Sequence, residues 1–265
     1  MKNKKKYKQS RKNGPKNTTG KSGGGKSGIG PGRVVLYGTH AVKAALKNPK
    51  RKISTFYCTE NSRNFLEEES LHLPAHAETK ILDKHGFDSL LGMDTVHQSI
   101  AVQAAILTQP TLADVSANAK LLVMLDHVTD PHNVGAIMRS CAAFGAAAVI
   151  VQDRHSPPET GTLAKTACGA LETIPMVSVT NLSRALDELK RNDFFVYGLD
   201  ERGIPLDKTF EAADKSVLVM GAEGPGIRRL VAERCDGMLS LPSCPEMPSI
   251  NVSNAAAVSL YAFIP

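Results

Sequence analysis

The chain has 265 residues, 42% of them apolar, and a formal net charge of +6, which fits one large globular domain or two modest ones. No apolar run approaches the roughly 18 residues that a membrane-spanning helix requires. The basic N-terminus also lacks the apolar run of a secretory signal, so we expect neither a membrane helix nor export.

The positive charge is concentrated in the first segment of the chain. Residues 1–33 contain eleven Lys or Arg and no acidic residue, so the remainder carries 21 basic against 26 acidic residues. Gly, Ser, Asn and Lys dominate this segment, and such a composition cannot bury enough apolar surface to fold alone. We expect a disordered basic tail. It is either an arm that contacts RNA phosphates or a solubilising extension.

Strands and helices alternate over residues 34–107, which predicts a small α/β domain. We expect strands at 34–37, 53–58, 80–82 and 100–106, separated by helices at 39–46, 65–70 and 87–91. The Thr108-Gln109-Pro110-Thr111 stretch has turn chemistry, so residues 108–117 are the predicted linker.

Residues 118–265 form a second alternating series, with strands that are continuous apolar runs. Such runs favour a parallel sheet that is covered on both faces. The predicted strands are 121–125, 147–151, 175–179, 194–197 and 217–220.

The first motif, Asp126 to Arg139, directly follows a predicted strand. Asp130-Pro131 is typical of a helix start. Val134, Ile137, Met138, Cys141 and Ala142 then recur at helical spacing and form the predicted buried face. Arg139 lies about 140° around the helix from Val134, so we expect it to point away from that face. Taken alone, Asn133 could also be a helix cap and Arg139 a solvated side chain.

The second motif is a glycine-rich loop, Met220-Gly221-Ala222-Glu223-Gly224-Pro225-Gly226, at the end of a predicted strand. Glycines let the backbone approach a ligand closely, and ligands commonly bind at the carboxyl ends of parallel strands. The spacing does not match the dinucleotide fingerprint or the phosphate-binding loop. A tight turn with a helix cap at Gly226 is the alternative.

The third motif runs from Leu239 through Pro242 to the Ser249-Ile250-Asn251-Val252-Ser253-Asn254 stretch and an alanine-rich segment. Its polar residues stand where a helix would start. By pattern alone it is a packing helix with an N-terminal cap.

The five cysteines are odd in number and form no Cys-x-x-Cys pair. We therefore expect a reducing compartment, the cytoplasm, with no disulfide framework and no metal site. None of the five is placed as a nucleophile.

In this order, the three motifs resemble those of the SpoU (TrmH-like) branch of the SPOUT RNA 2′-O-ribose methyltransferases. The resemblance covers about 145 residues and implies a parallel sheet with a deep trefoil knot. It also implies S-adenosylmethionine as cofactor and RNA as partner. The preceding domain, which opens with Tyr37-Gly38-Thr39-His40, looks like the ribosomal-protein-like RNA-binding domain that often accompanies it.

The resemblance also implies roles for individual positions. The polar active-site positions correspond to Asn133, Arg139, Glu223, Ser249 and Asn251. The cofactor-binding positions correspond to Met220, Gly221, Ala222, Leu241, Ile250 and Val252. Family proposals make the arginine a proton acceptor, but a guanidinium is effectively always protonated, so holding the RNA phosphate or ribose suits Arg139 better.

The domain layout resembles the enzymes that methylate a guanosine of large-subunit (23S) ribosomal RNA. A transfer RNA methyltransferase and a non-catalytic ribosome-assembly protein are the alternatives.

Related proteins form homodimers through the last helix, and we expect the same here. Two features depart from the family pattern: Pro245 stands where a glycine is usual, and the sequence ends at Phe263-Ile264-Pro265, before the usual end of that helix.

Overall fold

A computed structural model describes residues 30–244, 246 and 250–264 of the chain. Nearly all of the predicted basic tail lies outside these residues. Its last residue, Arg33, instead begins the first strand and pairs with Ala105. None of the helices in the described ranges is long and apolar enough to cross a membrane.

The N-terminal part of the described chain folds around a four-stranded mixed sheet. Its strands are β1 (Arg33–Tyr37), β2 (Ile53–Cys58), β3 (Glu78–Ile81) and β4 (Ile100–Ala105), and its helices are α1 (Thr39–Lys47), α2 (Phe65–Glu68) and α3 (Lys84–Leu91). The strand order is β1-β4-β2-β3, with only the β2–β3 pair parallel. The predicted alternation of strands and helices is confirmed.

The C-terminal part contains a six-stranded sheet in which every pair is parallel. Its strands are β5 (Leu121–Asp126), β6 (Val149–Gln152), β7 (Met176–Val179), β8 (Phe195–Pro205), β9 (Ser216–Gly221) and β10 (Gly237–Ser240). The helices are α4 (Leu112–Ser116), α5 (Pro131–Phe144), α6 (Gly161–Ala167), α7 (Leu182–Lys190), α8 (Arg229–Ala232) and α9 (Val252–Ala262). The order β10-β8-β9-β5-β6-β7 places β9 and β5 at the centre.

The apolar runs form these central strands because both faces of the sheet are covered. All six residues of β5 are buried, and so are the first five of β9. A strand buried on both faces needs apolar side chains at successive positions, which is why no alternation is present. The predicted parallel sheet is confirmed.

Three local features differ from the sequence predictions. Part of the predicted linker forms α4, whose first turn is capped by Thr111 and Asp114. Strand β8 continues to Pro205, well beyond the predicted 197, and its last two residues, Ile204 and Pro205, pair with β10. Ala142, predicted to be buried, is exposed, while Gly135 is buried against α6.

A buried ion cluster joins the two parts of the chain. Arg51, which precedes β2, has a fully buried side chain that contacts Glu159 and Glu172 of the C-terminal part. Its Nη2 lies 2.6 Å from a Glu172 carboxylate oxygen, and Nη1 also donates to the carbonyl of Ala105. Burial alone would lower the pKa of Arg51, but the two carboxylates raise it above its ordinary value. The charges are therefore retained and paired.

Replacement of Arg51 by alanine would leave two carboxylates buried without a cation. Removing one member of a buried ion pair typically costs about 3–5 kcal/mol, so we expect Arg51→Ala to lower the free energy of unfolding by about that amount. Urea denaturation measures this loss. Arg63→Ala removes an exposed cation that pairs with Glu60, and we expect it to change stability by less than about 1 kcal/mol. Similar effects of the two substitutions would contradict a structural role for the cluster.

Candidate active site

The three motifs lie at one edge of the six-stranded sheet because each follows a parallel strand. Asp126, the last residue of β5, is in register with Gly221, the last residue of β9. The third motif begins at the end of β10. Carboxyl ends of parallel strands share an edge, so the loops that follow them are neighbours.

Helix α5 positions the residues of the first motif. Its N-cap is Asp130, whose Oδ1 accepts a hydrogen bond from the backbone N–H of His132 at 2.9 Å, and Pro131 occupies the first helical position. The predicted start is confirmed. Because Asp130 supplies the cap, Asn133 is not the cap, and its half-buried side chain is available for other contacts.

The second motif forms a closed loop in which a side chain at Gly221 would not fit. A Cβ atom there would lie 2.1 Å from the carbonyl carbon of Gly226 and 2.3 Å from the nitrogen of Ile227. The backbone N–H of Gly226 donates to the carbonyl of Ala222 at 2.9 Å. Gly226 does not cap a helix, because α8 begins only at Arg229 with Arg228 at its N-cap.

The third motif begins helix α9 with Asn251 at the N-cap. The side-chain oxygen of Asn251 accepts hydrogen bonds from the backbone N–H and the hydroxyl of Ser253, at 2.9 and 2.6 Å. The predicted cap is confirmed, but it uses only half of this side chain.

The amide nitrogen of Asn251 joins all three motifs. Nδ2 donates to Oδ1 of Asn133 at 3.0 Å and to Oε1 of Glu223 at 2.7 Å. The backbone N–H of Val252 donates to the same Glu223 oxygen at 3.4 Å. Three of the polar residues selected from the sequence therefore form one accessible hydrogen-bonded cluster, which we call the amide cluster (Asn133, Glu223 and Asn251).

Arg139 lies on the exposed side of α5, as its helical position predicted. Its Nη1 lies 3.7 Å from the sulfur of Cys168, which follows α6, and it makes no hydrogen bond to the amide cluster within the described ranges. Ser249 and Pro245 fall outside the described residues.

The residues selected for cofactor binding lie around the ends of β9 and β10. Met220 and Val252 are buried, whereas Gly221, Ala222 and Leu241 are half-buried. Ile250 is 43% exposed, which is high for a large apolar side chain beside a glycine loop. This combination of close backbone and accessible apolar surface suits a flat organic ligand.

Sequence reasoning missed an ion pair at the same edge. The buried carboxylate of Asp126 accepts from the backbone N–H of Arg228 at 2.8 Å and from its Nε at 2.7 Å. Nη2 of Arg228 donates to the side-chain oxygen of Gln152 at 3.0 Å. The signal available in the sequence was an aspartate that ends an apolar strand, since a buried carboxylate requires a partner.

A pair of histidine rings also went unnoticed. His127 follows β5 with a left-handed backbone (φ 60°), and its ring centroid lies 4.3 Å from that of His155. Nε2 of His127 is buried without a hydrogen-bond partner among the described residues.

The buried Cys141 and the half-buried Cys235 are poor candidates for nucleophiles. Burial raises the pKa of Cys141 and of Cys235 to about 12, so both thiols stay protonated near neutral pH. Within the described part of the chain, no group of three or more potential ligand side chains could hold a metal ion.

Comparison with protein families identifies the chain. Residues 120–261, more than half of its length, match the SpoU rRNA methylase family. The chain belongs to this family. Residues 35–110 match the family described as RNA 2′-O ribose methyltransferase substrate binding.

Curated relatives of this SpoU family member align along most of its length. It is 37% identical to the 23S rRNA (guanosine-2′-O-)-methyltransferase RlmB of Ralstonia nicotianae, over 86% of this chain and 93% of that protein. It is 35% identical to an uncharacterized tRNA/rRNA methyltransferase of Synechocystis, over 86% of this chain but only 61% of that longer protein.

A solved structure shares the fold. The SpoU methyltransferase AviRb of Streptomyces viridochromogenes, in complex with the cofactor AdoMet, superposes with a TM-score of 0.72 at 22% identity. The match covers 87% of this chain and 89% of that one. The two-part architecture is therefore common to both proteins.

The close approach at Gly221 predicts a measurable penalty for a single methyl group. Gly221→Ala forces the loop backbone apart, and we expect it to lower the free energy of unfolding by about 1–3 kcal/mol, the usual cost of overpacking. Gly237→Ala is the matched control, since its Cβ would meet only side-chain carbons at 3.6 and 3.7 Å. Thermal or chemical unfolding of both variants gives the comparison. Equal stability of the two would show that the loop is not tightly closed.

Proposed function

We propose that this protein transfers a methyl group from S-adenosylmethionine to a ribose 2′-hydroxyl of RNA, specifically a guanosine in large-subunit ribosomal RNA. The observation that carries the proposal is the amide cluster, in which one side chain joins the three motifs that the resemblance assigns to the active site. The 37% identity to a 23S rRNA (guanosine-2′-O-)-methyltransferase over nearly its full length supports the choice of substrate.

The glycine loop and its apolar neighbours fit the cofactor. Backbone groups of Gly221 and Ala222 would read the adenine edge, while the side chains of Leu241, Ile250 and Val252 cover its faces. Met220 lies buried beneath the loop. When bound, S-adenosylmethionine supplies a methyl group on a positively charged sulfur.

The bonding pattern gives each member of the amide cluster a different role. Asn251 uses both amide hydrogens and its oxygen inside the protein, so we assign it to positioning. Asn133 accepts with its oxygen, and its two N–H donors, which have no partner among the described residues, would bind the ribose. Glu223 binds through Oε1, and its Oε2, also without a partner in the described ranges, would accept a proton from a ligand hydroxyl. Ser249 is assigned to the same site by the resemblance.

Arg139 is assigned to the RNA. Arg139 is exposed on α5, the helix that also carries Asn133, and the Cys168 sulfur is its only hydrogen-bond partner among the described residues. A planar, permanently charged fork of this kind suits a phosphate or ribose oxygen better than proton uptake. The reacting oxygen would thereby be aligned for in-line displacement.

Arg139→Ala should therefore abolish methyl transfer while the affinity for S-adenosylmethionine, measured by calorimetry, stays nearly unchanged. Arg191→Ala, an exposed arginine at the far end of α7, is the control and should retain activity. An equal loss of cofactor binding in Arg139→Ala would contradict the assignment.

The direct test of function is transfer of labelled methyl groups from S-adenosylmethionine to unmodified ribosomal RNA, followed by nuclease mapping of the product. We expect label on one guanosine ribose of the large-subunit RNA. Label on transfer RNA alone would correct the substrate. Absence of label from both RNAs would favour a non-catalytic RNA-binding protein.

We also propose that residues 34–107, with the basic tail, bind the RNA substrate and that residues 118–265 form the catalytic domain. The match of residues 35–110 to a substrate-binding family supports this division. The buried Arg51 cluster would hold the two domains in one orientation.

The path of the last segment supports a trefoil knot. From β10, the outermost strand of the sheet, the chain returns to the central strands, where α9 packs against α5 and Asn251 donates a hydrogen bond to Glu223.

The five described cysteines are all free, which agrees with a cytoplasmic location.

The exposed apolar side chains of helix α9 support a homodimer that forms through the catalytic domain. Val258 is 53% exposed and Tyr261 is 70% exposed, and the Tyr261 ring packs edge-on against Phe144 of α5. Apolar side chains exposed on adjoining helices favour association.

Val258→Glu should convert a dimer to a monomer in analytical ultracentrifugation, because it places a charge within the apolar surface. Val96→Glu changes a similarly exposed valine of the N-terminal part and should leave the dimer intact. A monomeric wild-type protein would refute the dimer.

A further inference from the structure

A polar cavity lies along the same edge of the sheet as the amide cluster. Its volume is about 210 Å³, and its polar lining consists of Gln152, Asn181, Ser183, Arg228 and Arg229. Gln152 ends β6, and Asn181 caps the helix that follows β7. The cavity therefore lies at the carboxyl ends of β6 and β7, whereas the amide cluster lies beyond β9 and β5.

The lining has the chemistry of an anion site. Two arginines contribute to it, and no carboxylate is among the described residues that line it. Ser183 belongs to the first turn of α7, where backbone N–H groups have no acceptor within the helix.

Arg228 is held in place before any ligand arrives. Asp126 fixes its Nε and Gln152 fixes its Nη2, which leaves Nη1 without a partner in the described ranges, and the side chain is 40% exposed. A guanidinium fixed on two sides loses little conformational freedom when its remaining N–H groups bind an anion.

The same contacts connect the cavity to the proposed catalytic centre. Asp126 is the first residue of the first motif, and Arg228 follows the second motif by two residues. The paired rings of His127 and His155 follow β5 and β6 and so lie between the two sites along the edge.

We propose that this cavity binds a backbone phosphate of the RNA nucleotide that flanks the methylated one. The proposal rests on the proposed function and adds a second point at which the RNA strand is held. Arg228 and Arg229 bind the phosphate oxygens, and the strand extends across the edge towards Asn133. Such a contact positions RNA without reading its sequence.

Two substitutions at the lining of the cavity test the proposal; of these, Ser183→Glu also removes the hydrogen bond that the Ser183 hydroxyl donates to the Leu230 carbonyl at 3.1 Å. Arg229→Ala removes an arginine that is 77% exposed and that, among the described residues, forms an ion pair only with Glu233 at the C-cap of α8. Ser183→Glu adds a negative charge inside the cavity, at a helix N-terminus where a carboxylate is favourable for stability. Arg191→Ala again provides the control, with the same loss of charge at the opposite end of α7.

The measurements are filter binding of an unmodified large-subunit rRNA transcript over a range of salt concentrations, methyl-transfer kinetics and S-adenosylmethionine calorimetry. For Arg229→Ala we expect the slope of log affinity against log salt to fall by about 0.7, the value for one phosphate contact on a single strand. The KM for RNA should rise, by roughly 3- to 10-fold, at unchanged kcat and cofactor affinity. Ser183→Glu should raise KM further.

The outcomes separate this proposal from the proposed function. If the wild-type protein methylates the transcript but both cavity variants behave like Arg191→Ala, the phosphate site is refuted and the methyltransferase stands. A fall in kcat or in cofactor affinity at unchanged RNA affinity would also refute it. If the wild-type protein transfers no methyl group, the proposed function fails, while the salt slopes of RNA binding still decide whether the cavity holds a phosphate.

Discussion

The geometry of the candidate site depends on one amide side chain. Asn251 donates to Asn133 and Glu223 while its oxygen caps α9, so the last helix, the glycine loop and α5 are held to one another through four hydrogen bonds of one residue. Its partners are 118 and 28 residues away in sequence. A side chain whose groups are all satisfied has few alternative orientations, and this fixes the groups that remain free on its partners.

Parallel pairing explains why this linkage is possible. Because all six strands of the C-terminal sheet point the same way, the loops that follow them lie at one edge. Along that edge the residues proposed to bind the cofactor lie near the ends of β9 and β10, the amide cluster lies beyond β9 and β5, and the arginine-lined cavity lies beyond β6 and β7.

The charged side chains are either buried in ion pairs or left accessible to a ligand. The Arg51 cluster places one cation between two carboxylates in the interior, where pairing makes burial tolerable. Arg139 and Arg228 keep part of their donor capacity accessible to ligand. The eleven basic residues among residues 1–33 add positive charge, and salt weakens the attraction of such charge to phosphates.

The sequence by itself determined the local structure and the family. Successive apolar positions specified the central strands, Asp130 and Pro131 specified the start of α5, and helical spacing specified the outward direction of Arg139, because these signals act within a few residues. Only the tertiary structure decided which of these residues meet. The bonds of Asn251 and the Asp126–Arg228 ion pair depend on how long loops close and how strands are ordered, and residue spacing carries no record of either. For the same reason Ala142 lies outside the core: its exposure depends on where α6 and α9 pack against α5.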